Sequence, residues 1–148
     1  MIRVSASTAE EIAQSLRGKR VEISAAQQAE RVANRLRGIK ESTTGIVVVA
    51  PRQSGKTTEL LRFAEEQYPN GQFAVICLNK YVLSSICHLY RDLRGDPNVS
   101  PPLMLFPDNL RLVGNESKPL FCDEFSLFTE EQQEYITGYR RFSAAVTS

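Results

Sequence analysis

Two short clusters in this chain have residue types and spacing that can do chemistry. The first is Ala50-Pro51-Arg52-Gln53-Ser54-Gly55-Lys56-Thr57-Thr58, which follows the apolar run Val47-Val48-Val49. It matches the phosphate-gripping pattern G-x-x-x-x-G-K-[ST], with Ala50 where the first glycine usually stands. A bound phosphate needs converging backbone N–H donors and the positive end of a helix dipole. Gly55 lets the backbone approach closely, Lys56 supplies an ammonium for the outer phosphates, and the Thr57 hydroxyl can join the shell of Mg²⁺. The second cluster is Asp123-Glu124, at the end of the apolar run Pro119-Leu120-Phe121-Cys122. Phosphoryl transfer to water needs a carboxylate for Mg²⁺ and a group that orients the attacking water. Asp123, reaching the metal through water, and Glu124 suit those two tasks. Developing negative charge also calls for a cation. Arg52 stands inside the loop, and Arg140 or Arg141 could serve in the same subunit or in a neighbour.

These residues need a scaffold that brings them to one edge. Three consecutive valines suit a strand buried on both faces. Thr58 to Ala64 continues as a helix with apolar positions 60, 61, 63 and 64. Further strands are predicted at Gln72–Leu78, Pro119–Phe125 and Phe142–Ser148, the last ending in the hydroxyls Thr147 and Ser148. Helices are predicted from Thr8 to about Leu16, from Ser24 with small or apolar residues at 25, 29, 32, 33, 36 and 39, from Asn79 to about Leu93, and from Thr129 to about Tyr139. Thr8/Glu11, Ser24/Gln27 and Thr129/Gln132 each have the spacing of a capping box. Residues 99–118 give little beyond an apolar run at 103–106 and a short edge strand at 110–113. Strands alternating with helices argue for a mainly parallel sheet covered on both faces, the three-layer α/β arrangement. Ligands collect at the carboxyl ends of such strands, so the two clusters converge if their strands are parallel.

Composition sets the bounds. The chain of 148 residues fits one domain, with 42% apolar and 24% charged residues. We divide it into an N-terminal helical region, 1–44, and a nucleotide-binding core, 45–148. Net charge is only +1, which argues against a global basic field. Residues 17–40 nonetheless hold seven Arg or Lys against Glu22 and Glu30, a stretch that could face nucleic acid or simply form solvated helix faces. Cys77, Cys87 and Cys122 lack paired metal spacing and read as buried thiols in a reducing compartment. No apolar run reaches membrane-span length and no signal-peptide core is present, so a soluble, cytoplasmic protein without a membrane partner is expected.

The loop Ala50-Pro51-Arg52-Gln53-Ser54-Gly55-Lys56-Thr57-Thr58 resembles the R-Q-x-G-K-[ST] phosphate loop of phage terminase large subunits, the motors that package DNA. An apolar strand ending in Asp123-Glu124 is similar to their magnesium and catalytic-glutamate motif. Arg140-Arg141 followed by residues 142–148 looks like their coupling strand, whose Thr or Ser, here Thr147 or Ser148, senses the γ-phosphate. These ATPases also read adenine through a glutamine ahead of the loop, which here is Gln27 or Gln28. The resemblance spans about residues 24–148 and implies a minimal phosphate-loop NTPase core that binds ATP and Mg²⁺ and hydrolyses ATP. It implies double-stranded DNA as the polymer acted on, a homo-oligomer or a phage packaging or replication partner, and the host cytoplasm as location. No downstream acidic cluster is present for nuclease metals, so nuclease activity is not expected. The strand that usually lies beside the phosphate-loop strand is not evident, unless residues 20–23 supply it.

Two other function classes compete. One is a nucleotide-dependent interaction or regulatory module with little hydrolysis. The other is a small-molecule kinase, against which stand Glu124 after Asp123 and the lack of an Arg-rich lid.

Overall fold

The structure, a computed structural model, describes residues 2–17, 45–109 and 118–148. Its described residues form one all-parallel sheet of six strands. These are β1 (Ile2–Ser5), β2 (Ile46–Val49), β3 (Ala74–Ile76), β4 (Leu103–Leu105), β5 (Leu120–Cys122) and β6 (Phe142–Thr147). Their order across the sheet is β1-β2-β6-β5-β3-β4. Among the described residues four helices of eight or more residues accompany them, α1 (residues 9–17), α2 (Lys56–Gln67), α3 (Lys80–Arg94) and α4 (Glu130–Thr137), with a further helical turn at residues 107–109. A 3-10 turn, Phe125–Leu127, links β5 to α4.

The sheet is buried on both faces, as parallel strands require. On one face Val48, Val75, Phe121 and Val146 pack against Ile12 and Leu16 of α1, Leu60 and Phe63 of α2, and Ile86 and Tyr90 of α3. On the other, Val47, Ile76, Leu120, Cys122 and Ala145 pack against Phe125, Phe128 and Ile136. This is the expected three-layer α/β architecture. The β5–β6 register shifts between Leu120 and Phe121, whose partners are Phe142 and Ala144. Ser143 is therefore an extra residue in the ladder. It lets Phe142 and Ala144 enter opposite cores, where a regular strand would put both on one face.

The N-terminus departs from the sequence-based expectation in two ways. The strand beside the phosphate-loop strand is present: β1 pairs with β2 from Ile2↔Ile46 to Ser5↔Val49. The N-terminal region is thus not only helical, and its first strand and helix belong to the core. Thr8 Oγ1 accepts from Glu11 N–H at 3.2 Å, as a cap should. The Glu11 carboxylate, however, takes the Ser7 hydroxyl and N–H instead of closing a box on Thr8. α1 runs alongside α2 in the same direction. Ala9 lies near the start of α2, 3.7 Å from where a Cβ on Gly55 would stand, and Arg17 pairs with Glu66 near its end at 2.7 Å.

The edge strand β4 comes from the run at 103–106. The strand proposed at 110–113, the link at 20–23 and the helix proposed from Ser24 lie outside the described residues. Cys77 and Cys122 are buried free thiols and Cys87 is half-buried. Burial pushes the Cys77 thiol up to about 12. No helix among the described residues is long and apolar enough to cross a membrane.

Candidate nucleotide site at the carboxyl edge of the sheet

β2 ends at Val49, and residues 50–55 carry the chain into α2. Ala50, the replacement for the first glycine, is buried in the core, so the turn accommodates its methyl group. The loop closes on itself through Ser54 Oγ, which donates to the Pro51 carbonyl at 2.6 Å. Gln53 (φ 59) and Gly55 (φ 80) both occupy the left-handed region. Left-handed residues alternating with ordinary ones are the backbone pattern from which phosphate nests are built. Gly55 also leaves the first turn of α2 without a side-chain cap. By contrast, the Asn79 side chain caps α3 and Thr129 caps α4 through a full capping box. Among these three helices, α2 alone starts with donors open to a ligand. Lys56 is buried at 6% exposure in that first turn, whereas Pro51, Arg52 and Gln53 are exposed and Thr58 is half-buried.

β5 delivers the second cluster to the same edge. The Thr57 hydroxyl donates to Asp123 Oδ1 at 2.9 Å, joining the phosphate loop to the Asp-Glu cluster. Asp123 is 5% exposed, and desolvation pushes its carboxyl from 3.8 up to about 6. The Thr57 hydrogen bond opposes that rise, the Glu124 charge adds to it, and the Lys56 ammonium opposes it. Both oxygens are the hard donors magnesium prefers, so Thr57 could join its shell directly with Asp123 reaching it through water, as the sequence suggested. Among the described residues no cluster of three or more His, Cys, Asp or Glu forms a metal cage. Glu124 follows at φ 55 and ψ 42, a left-handed conformation that a residue with a Cβ seldom adopts. The bend takes Glu124 out of strand alternation and leaves its side chain half-exposed at the edge.

β6 lies between the two motif-bearing strands, and Thr147 near its end is 1% exposed. Ser148 is exposed. Arg140 and Arg141 are exposed at the other end of β6, where the Arg141 carbonyl accepts from Leu120 N–H. Six residues of strand put them about 20 Å from the phosphate loop. This corrects the expectation that either could reach the phosphates within the same subunit. The cause is direction: α4 returns the chain to the amino edge before β6 begins. Gln27 and Gln28 lie outside the described residues. The geometry therefore gathers Lys56, Thr57, Asp123, Glu124 and Thr147 at one edge with Arg52 in the adjoining loop, and separates Arg140 and Arg141 from them. Thr147 Oγ1 also accepts from the N–H of Ser126, in the turn after Glu124, a tie that sequence reading missed because strand order is not written in the motifs. Comparison with known proteins finds no match: no family profile, curated protein or solved structure is significantly similar to this chain.

Proposed function

We propose that this chain is an ATP-binding, ATP-hydrolysing core of the phosphate-loop class, resembling the terminase large-subunit motor and acting on DNA in a larger assembly. The observation that carries the reading is the 2.9 Å hydrogen bond from Thr57 to Asp123, which joins the uncapped start of α2 to the Asp-Glu cluster. The N–H groups at 53–57 bind the outer phosphates, and Lys56 neutralises their charge. Thr57 directly and Asp123 through water would hold Mg²⁺, which would supply positive charge to offset the phosphates. Glu124 accepts a hydrogen bond from the attacking water and aims its lone pair at the γ-phosphorus. Among the described residues Arg52, in the loop itself, is placed beside Lys56 to meet charge developing on the γ-phosphoryl group.

The test is steady-state ATP hydrolysis with and without double- and single-stranded DNA, alongside nucleotide binding. Lys56→Ala should lose most nucleotide affinity. Glu124→Gln should keep affinity and lose on the order of a hundredfold or more in turnover. Turnover stimulated by DNA and lost in both variants would support the motor reading. Tight Mg·ATP binding without turnover under every condition would instead make the chain a nucleotide-dependent regulatory module.

A further inference from the structure

Thr147 is bonded on two sides. Its carbonyl oxygen accepts from the N–H of Ala50, the first residue of the phosphate loop, at 2.9 Å. Its side-chain Oγ1 accepts from the N–H of Ser126 at 3.0 Å. Ser126 sits in the 3-10 turn that follows Glu124. One residue at the end of the central strand β6 therefore touches both halves of the site, through main chain on one side and side chain on the other. The turn it holds carries a glutamate in the left-handed region, a conformation that persists only where surrounding contacts determine it. Phe125 and Phe128 anchor that turn by burial at 1% and 3% exposure. Apolar contacts fix depth better than direction. The hydrogen bond to Ser126 supplies direction, and its acceptor is almost wholly shielded from competing water.

We infer that Thr147 is a positioning residue that sets the aim of Glu124 relative to the phosphate loop by holding the Ser126 N–H. The inference rests on the hydrolytic reading above and deepens it. It differs from the role implied by the terminase resemblance, in which the strand-end hydroxyl senses the γ-phosphate. A sensor contacts ligand and changes the preference for ATP over ADP. A positioning residue acts through Glu124 and changes turnover alone.

Thr147→Val keeps shape and volume and removes the acceptor. It should lower kcat roughly tenfold, leave the ratio of ATP to ADP affinity unchanged, and speed amide exchange at Ser126. Thr147→Ser, which keeps the oxygen, should restore most of the rate. In a Glu124→Gln background, Thr147→Val should cost nothing further, because the group it aims is already gone. Should the valine variant fail to fold, Thr147→Ala tests the same affinity ratio and non-additivity. A selective loss of ATP affinity would overturn the inference in favour of a phosphate contact. A full additional loss on top of Glu124→Gln would overturn it as well. If wild type never hydrolyses ATP, the ATPase reading falls and this inference with it. If wild type turns over and Thr147→Val turns over equally well, this inference falls alone.

Discussion

Asp123 shows how one buried carboxylate ties stability to function. Its carboxyl titrates near 3.8 when unfolded and at about 6 in the fold, because burial disfavours the charged form. Between those values the folded chain holds a proton that the unfolded chain has lost. The protonated carboxyl therefore costs the fold nothing below the unfolded value, and stability falls as pH rises from there through the folded value. A rise of that size corresponds to about 3 kcal/mol, felt in full above roughly pH 7 when no cation is bound. Asp123→Asn is neutral throughout and should remove this slope. Urea unfolding of both proteins from about pH 4 to pH 8, without magnesium, checks it. The variant should gain on wild type across that window, and parallel curves would show that the carboxylate is solvated in the fold. Glu124 is the counter-case beside it. It is half-exposed, and its direction is set by backbone geometry rather than by burial.

At the scale of elements, β6 must satisfy both ends of the sheet. Near its end Thr147 meets the phosphate loop and the Glu124 turn; at its start Phe142 fills the space over Gly45. A Cβ on Gly45 would stand 2.1 Å from two atoms of the Phe142 ring, which is 4% exposed and has little room to retreat. Gly45→Ala should therefore destabilise by about 1–3 kcal/mol through overpacking. The urea midpoint should fall, and Phe142→Leu in the same chain should return part of the loss. A midpoint unchanged in Gly45→Ala would mean the β2 entrance yields. Much of this element layout was legible. Val47-Val48-Val49 and Phe73-Ala74-Val75-Ile76 declare buried strands by β-branched and apolar runs, and Asn79 and Thr129 declare helix starts by their caps. β1 was not legible, because Ile2-Arg3-Val4-Ser5 is a four-residue alternation, too short to tell from an extended link. β4 hid behind Pro101-Pro102. The bulge at Ser143 has no local signal, since it follows from how β5 and β6 must both fill two cores.

For the whole molecule, strand direction decides which cations can serve which site. Every described strand points the same way, so residues before a strand and residues after it lie at opposite edges. Residue types single out Lys56 and Asp123-Glu124 as candidates, but the placement of Arg140 and Arg141 depends on α4 running back across the sheet, which motif spacing does not state. Arg52, by contrast, is fixed in the loop. Arg140→Ala with Arg141→Ala should therefore leave turnover per molecule within about twofold of wild type in dilute solution, whereas Arg52→Ala should lower kcat at least roughly tenfold with a smaller effect on affinity. Measuring both variants across protein concentration gives the check. If the double variant loses turnover only at concentrations where chains associate, the amino edge of one copy is reaching the carboxyl edge of the next. Mixing that variant with Lys56→Ala chains would then restore activity, because the Lys56→Ala copies still carry the two arginines and the double variant still carries an intact phosphate loop. Restored activity would place the finger in trans and make the assembly, not the single chain, the complete ATPase; no restoration would leave Arg52 as the cation that acts.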